Sequence, residues 1–201
     1  MVEYDLIVIG AGAAGLIAAG RAAKRGREVL LLEKNEQVGK KILMTGKGRC
    51  NLTNDCAVEE IIKNFPETGK FLYSALYTLN SWQLRSFFAD LGVETKVERG
   101  ARVFPVSDSA ADIVKALKRY INQTGVELQL NSTVEDIMTE KNRVSGVRLA
   151  SGSEFKAKNI LLAVGGKAYP STGSAGDGYQ MAKEIGHNLN SIQPSLVPLE
   201  T

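Results

Sequence analysis

YDLIVIGAGAAG, residues 4–15, decides how the rest of the chain is read. A short aliphatic run ending in glycine is the pattern of a strand buried on both faces of a parallel sheet. Gly10, Gly12 and Gly15 stand in G-x-G-x-x-G spacing at the head of a helix expected over residues 15–24, whose alanines suit close packing and which Gly26 stops. EVLLLE, residues 28–33, is a second buried strand and ends on an acid, Glu33. Three spaced glycines say little in a chain that has 20 glycines. Placed after one buried strand, before a helix, and with the acid at the end of the next strand, they make a dinucleotide-binding fingerprint. Gly10 permits the tight turn, Gly12 lets the backbone approach a pyrophosphate, and Gly15 lets helix and strand pack closely. The free N–H groups of the helix N-terminus attract phosphate, while Glu33 is placed to accept hydrogen bonds from the adenosine ribose and to disfavour a 2′-phosphate.

Working outward, GKKILMTGKGRCNLTN (residues 39–54) reads as a segment too irregular for helix or strand. The fingerprint does not separate NAD from FAD, but this segment does. A nicotinamide domain continues in regular βαβ repeats, whereas here a basic, glycine-rich loop lies where the rest of a longer cofactor extends. Lys40, Lys41 and Arg49 suit phosphate or reduced-flavin charge, and Thr45, Asn51 and Thr53 offer hydrogen bonds to polar edges. A second glycine-rich stretch, AVGGKAYPSTGSAGDGY (residues 163–179), follows a third apolar run at 159–166. Loops at the carboxyl ends of parallel strands converge on one crevice, so this stretch is expected to face the same ligand.

Between these landmarks the spacing predicts helices at 59–64, 70–78 and 81–91, and a clean amphipathic helix at 110–123 with Ser109 as N-cap, Asp112 in its first turn and Gly125 as its stop. A strand at 126–130 is followed by three short runs, 133–138, 143–149 and 154–157, in the pattern of an antiparallel meander. A last helix is expected at 178–185, after which QPSLVPLET (193–201) reads as extended. The expected organisation is a first, incomplete part of a cofactor domain at 1–190 and, at 191–201, a linker or strand leading into a substrate domain. Composition agrees with a globular enzyme domain: 201 residues, 44% hydrophobic and 23% charged. A net charge of +3 gives no reason to expect a nucleic-acid partner. Cys50 and Cys56 fit neither a disulfide framework nor a zinc site, no apolar run reaches membrane-span length, and no leader pattern opens the chain, so a cytoplasmic protein without a membrane partner is expected.

The loop at 39–54, together with LLAVGGKAYPSTGSAGDGYQMAKEIGH (161–187) and SLVPL (195–199), resembles the BaiN/RdsA family of NAD(P)/FAD-dependent oxidoreductases, also called YhiN-like or aminoacetone-oxidase-type flavoproteins. The G-D-G at 176–178 is also similar to flavoproteins of the fumarate reductase type. The resemblance implies an α/β fold, a Rossmann-like doubly wound FAD-binding domain of glutathione-reductase type with a three-stranded meander and a helical insertion. It implies non-covalent FAD, with Gly10, Gly12, Ala13, Ala14 and Gly15 at the pyrophosphate and Glu33 and Lys34 at the adenosine ribose. Lys41 and the run Thr45, Gly46, Gly48, Arg49, Cys50, Asn51 would follow the ribityl chain and flavin. Val134 would hold adenine through its backbone, Ala163 and Gly165 would pass near the cofactor, and Asp177 would anchor it. The chain departs from the family pattern at Val164, where a threonine is usual, and at Lys47, where a glycine is usual.

These residues imply hydride transfer between flavin and a small-molecule substrate. Only one fingerprint is present, so NAD(P)H as reductant would bind transiently. The family resemblance allows either reduction of an enone-like double bond or oxidation of a small amine. A tRNA-modifying flavoprotein and a non-catalytic FAD-binding module remain alternatives. No catalytic residue and no metal site is assigned. Tyr169 and Arg49 are the candidates for reaching flavin or substrate, Cys50 is expected to be a packed thiol, His187 a helix cap or surface residue, and Trp82 to pack between helices.

Overall fold

The computed structural model describes residues 3–65 and 68–193, so most of the extended run expected at 193–201 lies outside the described residues. In chain order the elements are β1 (Glu3–Tyr4), β2 (Leu6–Ile9), α1 (Ala13–Ala23), β3 (Val29–Leu32), α2 (Lys40–Met44), β4 (Thr53–Asn54), α3 (Val58–Lys63), α4 (Tyr73–Thr78) and α5 (Ser81–Asp90). They continue with β5 (Thr95–Glu98), β6 (Arg102–Pro105), α6 (Ala110–Gln123), β7 (Glu127–Gln129), β8 (Val134–Glu140), β9 (Arg143–Leu149), β10 (Glu154–Ala157), β11 (Ile160–Leu162) and α7 (Asp177–Glu184).

The central sheet is parallel throughout, in the order β11-β2-β3-β7. Its strands read as continuous apolar runs because both faces are covered. Val8, Val29 and Leu31 point to the side of α1 and α6, where they join Leu16, Ile113, Leu117 and Ile121. Ile7, Ile9, Leu30 and Leu32 point the other way, onto Val134, Val147, Leu149 and Met181. Helices of a doubly wound domain would cover that second face; here the cover is the sheet β1-β10-β9-β8, in which β8, β9 and β10 pair antiparallel, with a turn of α7. Three layers result: helices, parallel sheet, antiparallel sheet.

Several expectations need correction. The run at 4–10 is split at Asp5: Glu3 and Tyr4 pair with β10 of the outer sheet, and Leu6 onward enters the central one. The Asp5 carboxylate explains the break, since it accepts from the Glu28 N–H and from Lys158 Nζ instead of letting the strand continue. The run at 159–166 is regular only over Ile160–Leu162, and as an edge strand it leaves Leu161 37% exposed. Residues 39–54 are not wholly irregular; they open with α2, tighten into a 3-10 turn at Thr45–Gly48 and end in β4. Ser109 makes no side-chain cap to α6, whereas Asn80 and Gln83 form a reciprocal capping box at α5. A third, three-stranded sheet, β4-β6-β5, has no counterpart in the sequence reading. Trp82 is not packed between helices; it is 73% exposed.

Candidate functional site

β2 has β3 on one side and β11 on the other, so the chain leaves its carboxyl end at the point where strand order reverses. That is where an open α/β sheet leaves a crevice. A cavity of about 400 Å³ lies there, walled by residues 9–14, the end of β3, the loop after it, the start of β8 and the 163–177 segment.

The first wall is built from backbone. Gly10 has φ +101°, and a Cβ on it would stand 2.7 Å from the Ala163 carbonyl oxygen; a Cβ on Gly15 would stand 1.9 Å from Gly10 O. Both positions are therefore fixed by packing between strand, helix and loop. Gly12 is different: a Cβ there meets nothing within 4 Å, because that side opens into the cavity. No side chain caps α1 and no acid lies in its first turn, so the leading amides and the positive end of the helix dipole are left for a ligand. An open cradle of free N–H groups beside a glycine with empty space over it fits a dinucleotide pyrophosphate.

Glu33 is 7% exposed and already engaged. Its Oε2 accepts from the Ala11 N–H at 2.7 Å, and its Oε1 accepts from the Asn35 N–H at 2.9 Å and from Asn35 Nδ2 at 2.6 Å. The carboxylate thus clamps the glycine turn to the end of β3 and presents its remaining lone pairs to the cavity. Lys34 does not reach into open space. Its Nζ lies 2.5 Å from Asp177 Oδ2, the first residue of α7.

Of the loop residues expected near the cofactor, Lys41, Thr45, Cys50 and Asn51 line the cavity, as do Val134, Ala163 and Gly165. Cys50 is buried with φ +62°, and burial pushes its thiol above the ordinary range despite the opposing Thr45 contact. A protonated thiol is neither a strong nucleophile nor a metal ligand. Thr45 Oγ1 donates to Ile42 O at 2.7 Å, and Asn51, with its amide oriented to satisfy both ends, donates to Thr53 O and Val103 O. Gly46, Gly48 and Arg49 are not among the lining residues. Gly46 and Lys47 turn the backbone outward through positive φ, and Arg49 pairs with Glu98 at 2.9 Å and Asp108 at 3.2 Å while lying 4.0 Å over the Phe104 ring. Arg49 therefore fastens the loop to the small sheet. Tyr169 is 65% exposed and also outside the lining, and His187 is exposed, its N–H donating to Ala182 O as a helix-end cap.

Sequence reasoning missed Asn35, Thr172 and Ser174 as parts of the wall. The signal was present in part, since all three flank or lie within stretches already singled out. It also missed the apolar depth supplied by Leu84, Phe88 and Leu117, helix residues whose spacing reports only burial.

Comparison with known proteins follows the same lines. The model of the HI0933-like protein Rossmann domain matches residues 4–193. A 3-dehydro-bile acid delta(4,6)-reductase of Clostridium scindens is 37% identical over 195 residues, covering 96% of this chain and 46% of that protein. A ribosomal RNA dihydrouridine synthase of Haemophilus influenzae is 32% identical over 202 residues, 98% of this chain and 49% of its own length. The chain thus spans about half the length of the curated relatives it matches. A flavocytochrome c3 fumarate reductase in its open conformation superposes with a TM-score of 0.70 at 25% identity, over 92% of this chain and 41% of the other. A 3-ketosteroid-delta4-(5alpha)-dehydrogenase of Rhodococcus jostii RHA1 shares the fold at a TM-score of 0.63, with 20% identity over 92% of this chain and 54% of that one.

Proposed function

This chain belongs to the HI0933-like Rossmann family, and from that premise we propose that it is the FAD-binding part of a flavin-dependent reductase acting on a polarised carbon–carbon double bond. One observation carries the reading: a single cavity joins the open, uncapped face at Gly12 and the Glu33 carboxylate to the loop wall of Lys41, Thr45, Cys50 and Asn51. A pyrophosphate and a ribose at one end, with a second group reaching along the loop, describes a dinucleotide longer than its phosphate cradle.

When bound, FAD supplies hydride acceptance and donation. The chain's own part is to bind and orient. The α1 amides hold phosphate charge, Glu33 offers lone pairs to ribose hydroxyls, and Lys41 brings a cation to the loop side of the cavity. Leu84, Phe88 and Leu117 keep water from its inner wall. The names of the two relatives, a reductase of a ring double bond and a synthase of dihydrouridine, both describe adding two hydrogens to a carbon–carbon double bond. NADH or NADPH would serve as a transient reductant.

The test is direct. Purified chain incubated with FAD should retain a yellow, thermally stabilising flavin that NADH or NADPH bleaches without oxygen. No retained flavin and no thermal shift would end the FAD reading, whereas retained flavin that neither nucleotide ever bleaches would end the reductase reading.

A ribosomal RNA substrate is a second reading, favoured by exposed rings on the helical segment: Phe71 is 87%, Trp82 73% and Tyr77 56% exposed. Such rings offer stacking platforms for unpaired bases. Salt-insensitive or absent binding of ribosomal RNA fragments by the FAD-loaded protein would exclude it.

A further inference from the structure

Lys34, expected at the adenosine ribose, and Asp177, expected to anchor the cofactor, both line the cavity and meet each other across 143 positions of sequence. One stands at the carboxyl end of β3 beside Glu33; the other opens α7 on the far wall of the same cavity. The segment between Ala163 and Asp177 buries Thr172 and Ser174 but has little regular structure. It contains one three-residue 3-10 turn at Pro170–Thr172, and Tyr169 beside that turn is mostly exposed. It crosses closely over the β3 end: a Cβ on Gly173, at φ +96°, would lie 2.8 Å from Asn35 Nδ2 and 3.0 Å from Lys34 Cε. Asn35 Nδ2 also points at Thr172 O, at 3.5 Å, and Asn35 is itself held by Glu33. The fixed wall therefore reaches the loop through two neighbouring side chains, one ionic and one neutral.

We infer that Lys34 and Asp177 form a clasp that closes the 163–177 loop over the cavity mouth and sets how slowly a bound dinucleotide leaves. They are positioning residues, not ligands of the reacting group. The inference about release rests on the FAD reading above; the clasp itself does not. The side chains are 31% and 40% exposed, so the pair is screened by solvent and salt and its effect is moderate. The positive end of α7 adds to the hold on Asp177. Together these predict that breaking the clasp speeds loop opening by about three- to tenfold.

The experiment compares wild type, Lys34→Met, Asp177→Asn, the double variant, and the exchanged pair Lys34→Asp with Asp177→Lys. Hydrogen exchange is read first, without cofactor, at the Thr172 and Gly173 amides, which donate to Tyr169 O and Pro170 O. Each single change should speed exchange about three- to tenfold, the double no more than either, and added salt should shrink the difference. The exchanged pair should recover part of the loss, limited by the lysine now at a helix N-terminus. Unchanged exchange, or single effects that add in the double, overturns the clasp. FAD release, followed by flavin fluorescence, should rank the five proteins in the same order. Release that stays equal while exchange differs overturns the control of residence time. Non-additive exchange across the variants, with a wild type that holds no FAD, supports the clasp and refutes the FAD reading.

Discussion

The two glycine-rich loops of this protein look alike in sequence and are held by different forces. In the first, at residues 10–15, an added Cβ meets backbone: Gly15 faces Gly10 O at 1.9 Å and Gly10 faces Ala163 O at 2.7 Å. In the second, Gly165, Gly173 and Gly176 have positive φ and face side chains, namely Ser174, Asn35 with Lys34, and Lys167. Backbone between two buried strands cannot yield, whereas the ends of Lys34, Asn35 and Lys167 can turn aside. The first loop is thus part of the core, whereas the second, although it buries Thr172 and Ser174, is packed mainly against side chains. Equal glycine content does not mean equal rigidity.

The largest test of this contrast is Gly15→Ala. Its methyl has no place beside Gly10 O, so destabilisation of about 3 kcal/mol or more is expected in denaturant unfolding. A loss under 1 kcal/mol would show that the first loop is as yielding as the second. Gly12→Val comes next and separates packing from binding. Its side chain enters open space, so stability should change by only about 1 kcal/mol, while FAD retention by equilibrium dialysis falls about a hundredfold or more. Gly173→Ala should cost about 1 kcal/mol, chiefly for a non-glycine residue in the left-handed region, with the side chains of Lys34 and Asn35 moving aside. Thermal unfolding of the two alanine variants side by side would rank the loops.

Smaller effects sharpen the picture at the edges of the cavity. Cys50→Ser should leave FAD binding within a factor of a few. In wild type, Cys56 should react with a thiol reagent at pH 8 well before Cys50, because Cys50 is buried and Cys56 is half-buried. Both thiols are pushed up, Cys50 by burial and Cys56 by burial with the Glu60 and Asp55 charges. Mass spectrometry of the first adduct decides it. A last effect is confined to alkali. Tyr4 has its pKa pushed from 10.0 to about 12, first by burial and then by its hydrogen bond to Glu127 and that carboxylate's charge. A folded-state pKa above the unfolded one gives stability that is fully present below pH 10 and is lost as pH rises toward about 12. Tyr4→Phe should remove that alkaline slope from the stability curve.

Much of the central architecture was legible because its signals are local. VLLL at 29–32 is buried in every residue, as a continuous apolar run at the centre of a parallel sheet should be. The 14-residue α6 buries Ile113, Leu117 and Ile121 on the face their spacing gives. The small β4-β6-β5 sheet was not legible, since β4 has only two residues and β5 buries none fully. β5 and β6 form a local antiparallel hairpin, but β4 joins β6 only across a long separation, Thr53 opposite Val103, and Arg49 ties the loop before β4 to the same sheet through Glu98 and Phe104. In the same way, the sequence places Lys34 at the adenosine ribose and gives no sign of its pairing with Asp177, which lies 143 positions away.

By itself the sequence determined the βαβ unit, the crevice at its carboxyl end and the kind of ligand that glycines at 10, 12 and 15 with an acid at 33 are built to hold. These follow from backbone geometry and side-chain periodicity, which act over a few residues. Only the tertiary structure decided which charges remain for a ligand. It turned Arg49 onto Glu98 and Asp108, joined Lys34 to Asp177, and left Gly12 facing open space. The physical reason is that an ion pair depends on distance in space, which periodicity along a chain does not encode.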